Sequence, residues 1–149
     1  MRSLWRISNR CDLEGLGGER ADGRWHTAAR GRRIVYLSEH PAVSLIEVLA
    51  NLNGDPKLFP DRYQLMKVAV PDSIFIAPLP ENAMAETQST GNAWLSGRAS
   101  ALMGVPSLPA PESTNYLLNP LHPDARQLTI QWCKWLSYDK RLFHVHSTV

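Results

Sequence analysis

Three residues in the first third of the chain have the types and order needed to hold a dinucleotide and break its glycosidic bond. Arg24 ends a Gly-rich loop, Tyr36 lies on the apolar stretch Ile34-Val35-Tyr36-Leu37, and Glu47 lies within Leu45-Ile46-Glu47-Val48-Leu49. An arginine fork matches phosphate oxygens in two-point geometry. A tyrosine offers an aromatic face with a polar handle, and a carboxylate stabilises positive charge that builds on a sugar.

Each of these residues also has a simpler interpretation. Tyr36 suits a packed core position, and Arg24 belongs to an arginine-rich stretch that is equally typical of a solvated basic loop. At 100° per residue, a helix around Glu47 has an apolar face and an opposite polar face, and periodicity alone makes Glu47 a solvated surface residue. The apolar face holds Ala42, Leu45, Ile46, Leu49 and Leu52, and the polar face holds Ser44, Glu47 and Asn51.

The elements that must position these residues form a mixed α+β pattern of short strands and two helices. A first helix is predicted over 41–52, with Ser38 as its capping residue, Pro41 in its first turn and Asn53-Gly54-Asp55-Pro56 as its stop. A second helix is predicted over 92–102, after an exposed loop over 78–90. Strands are predicted over 4–8, 33–37, 63–70, 73–77 and 128–136, with another at Gly104-Val105-Pro106-Ser107 that prolines confine to an edge, a bulge or a strand end.

Length and composition allow one domain over 1–149, with 44% hydrophobic residues for a core. The net charge of +2 is too small to argue for nucleic-acid binding. No apolar run is long enough to cross a bilayer, and the first residues lack the apolar region of a signal peptide. Cys11 and Cys133 are isolated and lack metal-ligand spacing, so reduced structural thiols are predicted rather than a disulfide. The expected location is therefore the cytoplasm.

Two further motifs follow in the second half of the chain, Val105-Pro106-Ser107 and Asn115-Tyr116-Leu117-Leu118-Asn119-Pro120-Leu121-His122-Pro123. Together with the Arg24, Tyr36 and Glu47 elements, their order resembles the RES domain, a family named for an arginine, a glutamate and a serine. The resemblance extends over about 4–142. It implies a compact ADP-ribosyltransferase-like fold, in which a split antiparallel sheet with flanking helices holds NAD⁺ in a cleft.

The resemblance also assigns the site residues. Arg24 matches the family arginine and is expected to bind the pyrophosphate, Tyr36 matches the strand tyrosine and is expected to lie against the nicotinamide, and Glu47 matches the helix glutamate that faces the developing charge. Ser107 matches the family serine because it follows Val-Pro, and its hydroxyl is expected to bind a phosphate or a ribose. Ser113, which precedes the Asn115 motif, is a competing match.

The chain departs from the family pattern at His26, where asparagine is usual, and in a slightly longer link from Arg24 to Tyr36. His26 either contacts substrate or makes an ordinary backbone hydrogen bond, and the second is favoured. His122 is interpreted as part of a turn that shapes the cleft wall. His144 and His146 alternate without a third ligand at a useful spacing, so no metal site is predicted.

As a member of this family the chain is expected to be the toxin of a bacterial toxin–antitoxin pair. It would cleave NAD⁺ as a substrate, with no cofactor, by glycohydrolase or phosphorylase chemistry. The alternatives are an ADP-ribosyltransferase acting on a protein or nucleic acid and a non-catalytic nucleotide-binding module. The expected partners are an Xre-like helix-turn-helix antitoxin and a second copy of the chain, with no membrane and no direct nucleic-acid contact. The apolar segment 132–143 is typical of a dimer interface and equally of a core strand.

Overall fold

A computed structural model of the chain describes residues 1–52, 56–58 and 60–143, and it has the predicted α+β architecture. Within the described residues, no helix is long and apolar enough to span a membrane. The two α-helices are α1 (Pro41–Asn51) and α2 (Thr87–Gly97). The strands are β1 (Arg2–Ile7), β2 (Val35–Ser38), β3 (Arg62–Val70), β4 (Ile76–Ala77), β5 (Leu102–Pro106), β6 (Thr114–Leu118) and β7 (Thr129–Ser137).

The strands form one sheet in the order β4-β5-β6-β2-β1-β3-β7, and only the β4–β5 pair is parallel. β1 pairs with β3 along its whole length, from Arg2 opposite Val70 to Ile7 opposite Leu65. By contrast, β1 and β2 share the single register pair Trp5 and Ser38. The sheet is therefore split between β1 and β2, as the resemblance implied.

Side chains that alternate along β5 and β6 create two separate apolar clusters, one on each face of the sheet. Leu102 and Leu118 lie in the larger cluster with Leu4, whereas their neighbours Met103 and Leu117 lie in the smaller one. The smaller cluster includes Trp25, Ile34, Ala83, Leu95 and Val105. It anchors the Arg24 loop and α2 to the same face of the sheet.

Several predicted boundaries in the middle of the chain are wrong. The predicted loop over 78–90 contains the start of α2, the predicted helix over 92–102 ends too late, and the predicted strand over 73–77 is only Ile76–Ala77. α2 has a polar sequence in which only Gly91 and Leu95 are buried, so its apolar periodicity is weak. β6 was not predicted as a strand, and it lies in the middle of the β2 half of the sheet. Pro106 ends β5, in agreement with the predicted strand end.

The first helix agrees closely with its prediction, but its cap does not. The side chain of His40, rather than Ser38, accepts a hydrogen bond from the backbone N–H of Ala42 at 3.0 Å, and Pro41 occupies the first turn. The predicted stop at Asn53-Gly54-Asp55 and the two histidines His144 and His146 lie outside the described residues.

Cys11 and Cys133 form a disulfide, so the prediction of two reduced thiols is wrong. Their Cα atoms are 6.2 Å apart although 122 residues separate them in sequence. The sheet brings the segment after β1 near β7: Arg6 of β1 is opposite Met66 of β3, Met66 is opposite Cys133 of β7, and Cys11 follows β1 by four residues. A linear spacing rule cannot detect a pair that is brought together across three strands.

α2 packs closely on the loop that carries Arg24, and a glycine makes this possible. A Cβ atom at Gly91 would overlap the backbone carbonyl of Trp25. One turn before Gly91, Gln88 Nε2 donates to the Gly23 carbonyl at 2.9 Å, and the adjacent Asn92 exchanges hydrogen bonds with Thr27 at 2.9 and 3.1 Å. The face of α2 formed by these three residues therefore fixes the path of the loop from Gly23 to Thr27.

We expect loss of the disulfide to lower the free energy of unfolding of the oxidised protein. The bond closes a long loop, and the chain-entropy model gives roughly 4 to 5 kcal/mol for a loop of this length. Thermal unfolding of the oxidised protein, the protein in reductant, and the Cys11→Ser/Cys133→Ser variant measures the effect. Equal melting temperatures in all three would show that the bond does not constrain the unfolded chain.

We expect Gly91→Ala to destabilise the protein by about 1 to 3 kcal/mol, because overpacking against Trp25 outweighs alanine's higher helix propensity. Gly97→Ala in the same helix is the matched control, since a Cβ atom there meets nothing within 4 Å. Its stability should be unchanged or slightly higher. Urea unfolding of both variants gives the comparison, and equal effects at the two positions would contradict the packing argument.

Candidate active site

A cleft of about 680 Å³ opens where β1 and β2 separate, and its size suits a nucleotide ligand. One wall is α1 and the other is the Gly-rich loop before β2. The cleft side of α1 has the i, i+3, i+4, i+7 spacing of one helical face, formed by Ser44, Glu47, Val48 and Asn51. The polar residues predicted to share a face of α1 thus do share one, but that face lines the cleft instead of an open surface.

The Glu47 carboxylate is held in place by two hydrogen bonds to the same oxygen. Ser107 Oγ donates to Oε1 at 2.6 Å, and Asn115 Nδ2 donates to Oε1 at 2.7 Å. Hydrogen bonds to an ionised acceptor are stronger than neutral ones, so this pair holds the carboxylate in a single orientation. The donors come from positions 60 and 68 residues further along the chain.

The sheet register explains why these donors meet Glu47. Asn115 of β6 is opposite Ser38 of β2 on one side and Val105 of β5 on the other. Ser107 follows β5 and shares the face of Val105, since side chains two residues apart point the same way. The backbone N–H of Ser107 donates to the carbonyl of Ser113 at 2.9 Å, which continues the β5–β6 pairing beyond the strand ends. Ser107 and Ser113 are thus neighbours, and only the Ser107 hydroxyl bonds to Glu47.

Ser107 itself is 4% exposed and lies behind Glu47 rather than on the cleft surface. Its hydroxyl oxygen also accepts a hydrogen bond from the backbone N–H of Ala110 at 3.2 Å. The expected contact of this hydroxyl with a phosphate or ribose does not fit that position. The geometry gives Ser107 a role in orienting Glu47.

Arg24 extends from a loop whose other residues are tightly fixed. The backbone N–H of Gly23 donates to the carbonyl of His26 at 3.1 Å, which closes a turn around Arg24 and Trp25. Trp25 is 2% exposed and belongs to the smaller apolar cluster, whereas Arg24 is exposed at the cleft and at an adjoining groove beside the start of α2. Among the described residues, no side chain pairs with the Arg24 guanidinium. A fixed backbone with a free cation can meet an anionic ligand.

Tyr36 lines the cleft, and its hydroxyl is surrounded by hydrogen-bond partners. The backbone N–H of Trp25 donates to the hydroxyl at 3.1 Å, and His26 Nδ1 lies 2.7 Å from it. Burial raises the pKa of Tyr36 to about 12, and the opposing effects of the Trp25 N–H and of Arg6 are smaller. The phenol is therefore neutral at physiological pH and keeps its proton. His26 makes the backbone hydrogen bond favoured for it, with Nε2 3.0 Å from the Gly18 carbonyl.

Arg6 is a cleft residue that sequence reasoning missed. It lies on β1, and its guanidinium donates to the backbone carbonyl of Tyr36 at 3.0 Å. Burial lowers the pKa of Arg6, while the nearby Asp12 and Tyr36 act in the opposite direction. An arginine still carries its charge after such a shift. The strand pattern did indicate an inward position for Arg6. It lies two residues after the fully buried Leu4, so both side chains are on the same face of β1.

The predicted residues Arg24, Tyr36 and Glu47 thus line one cleft, together with Arg6, His26 and Asn115. Two guanidinium groups suit a pyrophosphate, and one oriented carboxylate suits positive charge on a sugar. Tyr36 lies between Arg24 and Glu47 in the sequence, and it lines the same cleft. Within the described part of the chain, no group of His, Cys, Asp or Glu residues could hold a metal ion.

Comparison with known proteins gives a consistent family likeness. Residues 3–141 match the model of the RES domain. The chain is 42% identical over 146 residues to "Toxin Res" of Pseudomonas putida, covering 94% of this chain and 99% of that protein. It is 33% identical to the "Prs ADP-ribosylating toxin" of Sphingobium sp. strain YBL2, covering 94% and 96%. The toxin–antitoxin complex MbcT-MbcA of M. tuberculosis contains a similar fold, with a TM-score of 0.70 and 18% identity, over 91% of this chain and 84% of that chain.

Proposed function

Because the chain belongs to the RES domain family, we propose that this RES-domain toxin breaks the bond between nicotinamide and ribose in NAD⁺. The observation that carries the proposal is the Glu47 carboxylate. It lies in a cleft with Arg6 and Arg24, and Ser107 and Asn115 fix its orientation. The arginines supply the positive charge that a pyrophosphate needs, and Glu47 supplies the negative charge that cleavage at the ribose needs.

The reaction needs a negative charge beside the sugar. When the C–N bond to nicotinamide breaks, both electrons leave with the ring, nicotinamide becomes neutral, and positive charge builds on the ribose carbon. Glu47 stabilises that charge more than it stabilises the bound substrate, which lowers the barrier. A water molecule then adds to the carbon and releases a proton, giving ADP-ribose. Inorganic phosphate in place of water gives the phosphorolysis product.

The substrate is oriented by charges at its centre and by an aromatic contact at one end. Arg24 is free to form a two-point contact with the pyrophosphate, and Arg6 adds a second positive charge nearby. Tyr36 offers its ring to the flat, positively charged nicotinamide. Ser107 and Asn115 act through Glu47, since both donate to its Oε1.

A specific observation also supports transfer of ADP-ribose to a macromolecule as the second candidate. A groove of about 580 Å³ adjoins the cleft at Arg24 and runs along Glu86, Thr87, Gln88 and Ser89. It offers room for part of a macromolecular acceptor next to the cleft. The relative from Sphingobium is named an ADP-ribosylating toxin, and the same carboxylate serves water, phosphate and protein acceptors.

The remaining partners are proposed from the family and from the exposed surface. We expect an antitoxin, as in the toxin–antitoxin complex of the structural neighbour, and we expect it to be of the Xre-like helix-turn-helix type. A second copy of the chain is expected to cover β7, which is an edge strand carrying Trp135 at 47% and Leu136 at 37% exposure. We expect the enzyme to act in the cytoplasm, where NAD⁺ is held.

Glu47→Gln is expected to lower NAD⁺ cleavage by roughly 10²- to 10³-fold, the loss typical of one preorganised electrostatic contact. The variant keeps the size of the side chain and removes its charge, so the fold should be unchanged. Purified protein is incubated with NAD⁺, with and without phosphate, and the products are identified. Full activity in a folded variant would remove Glu47 from the mechanism, and tight NAD⁺ binding without turnover in the parent protein would favour a non-catalytic module.

Expression of the parent protein and of Glu47→Gln in bacteria distinguishes NAD⁺ cleavage from transfer of ADP-ribose. Expression of the parent protein should lower cellular NAD⁺ before growth stops, and Glu47→Gln should lose both effects. Arrest at steady NAD⁺ would instead favour the ADP-ribosyltransferase, which labelled NAD⁺ would reveal as a tagged protein or nucleic acid.

Ser107→Ala should lower kcat by about fivefold, because one net hydrogen bond of roughly 1 kcal/mol no longer orients Glu47. Ser113→Ala is the matched control, since its backbone carbonyl supports Ser107 while its hydroxyl makes no contact with Glu47. KM should change little in either variant. A Ser107→Ala effect confined to KM would point to direct substrate binding by the serine.

A further inference from the structure

His26 is a buried histidine with both ring nitrogens in hydrogen-bond contact, and the proposed chemistry does not use it. It is 2% exposed. Nε2 lies 3.0 Å from the Gly18 carbonyl oxygen, and Nδ1 lies 2.7 Å from the Tyr36 hydroxyl. The ring therefore links the Gly-rich loop to the tyrosine on β2.

The partners determine which nitrogen carries the proton. A carbonyl oxygen can only accept, so Nε2 must donate to Gly18, and the neutral ring then has its lone pair on Nδ1. The Tyr36 oxygen already accepts from the Trp25 N–H at 3.1 Å. With a neutral ring, the phenol proton is then donated to His26 Nδ1. All hydrogen bonds around the phenol are satisfied in this one arrangement.

From this geometry we infer that His26 is a positioning residue, which holds the Tyr36 phenol by accepting its proton in the neutral imidazole form. This inference deepens the proposed function and rests on it only for the activity measurements. Space for the contact comes from Gly23, where a Cβ atom would overlap the Tyr36 hydroxyl. The loop is thus shaped to bring His26 and Tyr36 together.

Protonation of His26 would reverse this contact. With a proton on both nitrogens, the imidazolium would donate to the phenol oxygen, and the phenol proton would have to turn away. The charged groups around the cleft are Arg6 from β1, Glu47 from α1, and Asp22 and Arg24 from the same loop as His26. A third cation beside two arginines disfavours both the nicotinamide cation and the charge that builds on ribose.

Two substitutions test the two halves of the contact separately. The amide of His26→Asn lies near the place of Nδ1 and can accept from Tyr36, whereas the amide of His26→Gln lies near the place of Nε2 and can donate only to Gly18. Cleavage of NAD⁺ is measured between about pH 5 and pH 8, the range in which histidine titrates. Tyr36→Phe is combined with each substitution as the control.

We expect kcat/KM of the parent protein to fall at low pH, because an imidazolium at His26 cannot accept the Tyr36 proton. His26→Asn should remove that fall and retain more activity near neutral pH than His26→Gln, which should lose roughly 3- to 10-fold. In the Tyr36→Phe background the two substitutions should be equivalent. An unchanged acid fall in His26→Asn, or an equal difference in the Tyr36→Phe background, would overturn the inference.

A nitrogen NMR spectrum of the His26 ring supplies a measurement that does not depend on activity. At neutral pH we expect the neutral Nε2–H tautomer, and in Tyr36→Phe we expect the Nδ1 signal to shift. The opposite tautomer, or a ring that is charged at neutral pH, would contradict the inference. The expected tautomer in a protein that does not cleave NAD⁺ would refute the proposed function while leaving the positioning of Tyr36 in place.

Discussion

The architecture depends on the separation of β1 from β2 after the single pair formed by Trp5 and Ser38. Strands that stop pairing leave backbone groups that need other partners. Here the guanidinium of Arg6 donates to the Tyr36 carbonyl, so a charged side chain replaces a missing ladder hydrogen bond. The same gap that creates this need also opens the cleft. A cation and an aromatic ring are thereby fixed at its base by the requirements of the sheet.

The α1 wall of the cleft is supported by the β5–β6 pair, which supplies two hydrogen bonds to Glu47. Asn115 lies within β6 and Ser107 lies just beyond β5, and both donate to one oxygen of Glu47. A carboxylate on an isolated helix would rotate freely in water. Donors from a hydrogen-bonded sheet remove that freedom before any substrate arrives, which is the property that electrostatic stabilisation requires.

Sequence reasoning predicted the α+β class, the split sheet and α1, because each has a local pattern or a family motif. It predicted that Ser44, Glu47 and Asn51 share a helical face, but it could not tell a solvated face from a cleft wall. It predicted the second helix but misplaced its ends, because the polar side chains of α2 produce little periodicity and its contact with the loop depends on Gly91. The Cys11–Cys133 disulfide and the roles of Arg6 and Asn115 depend on strand register, which one sequence does not specify.

The cleft combines fixed groups with one free group, and this division fits a reaction in which charge moves. Glu47, Tyr36 and His26 each have protein partners, so their dipoles and charges cost little reorganisation when the bond breaks. Arg24 is held only through its backbone, between Gly23 and the buried Trp25. The Arg24 guanidinium, exposed and without a side-chain partner in the described part of the chain, is available to an anionic ligand without breaking any contact within the protein. Under the proposed function, the groups that must face the developing charge are therefore held in advance, and the group that must contact the phosphates is left open.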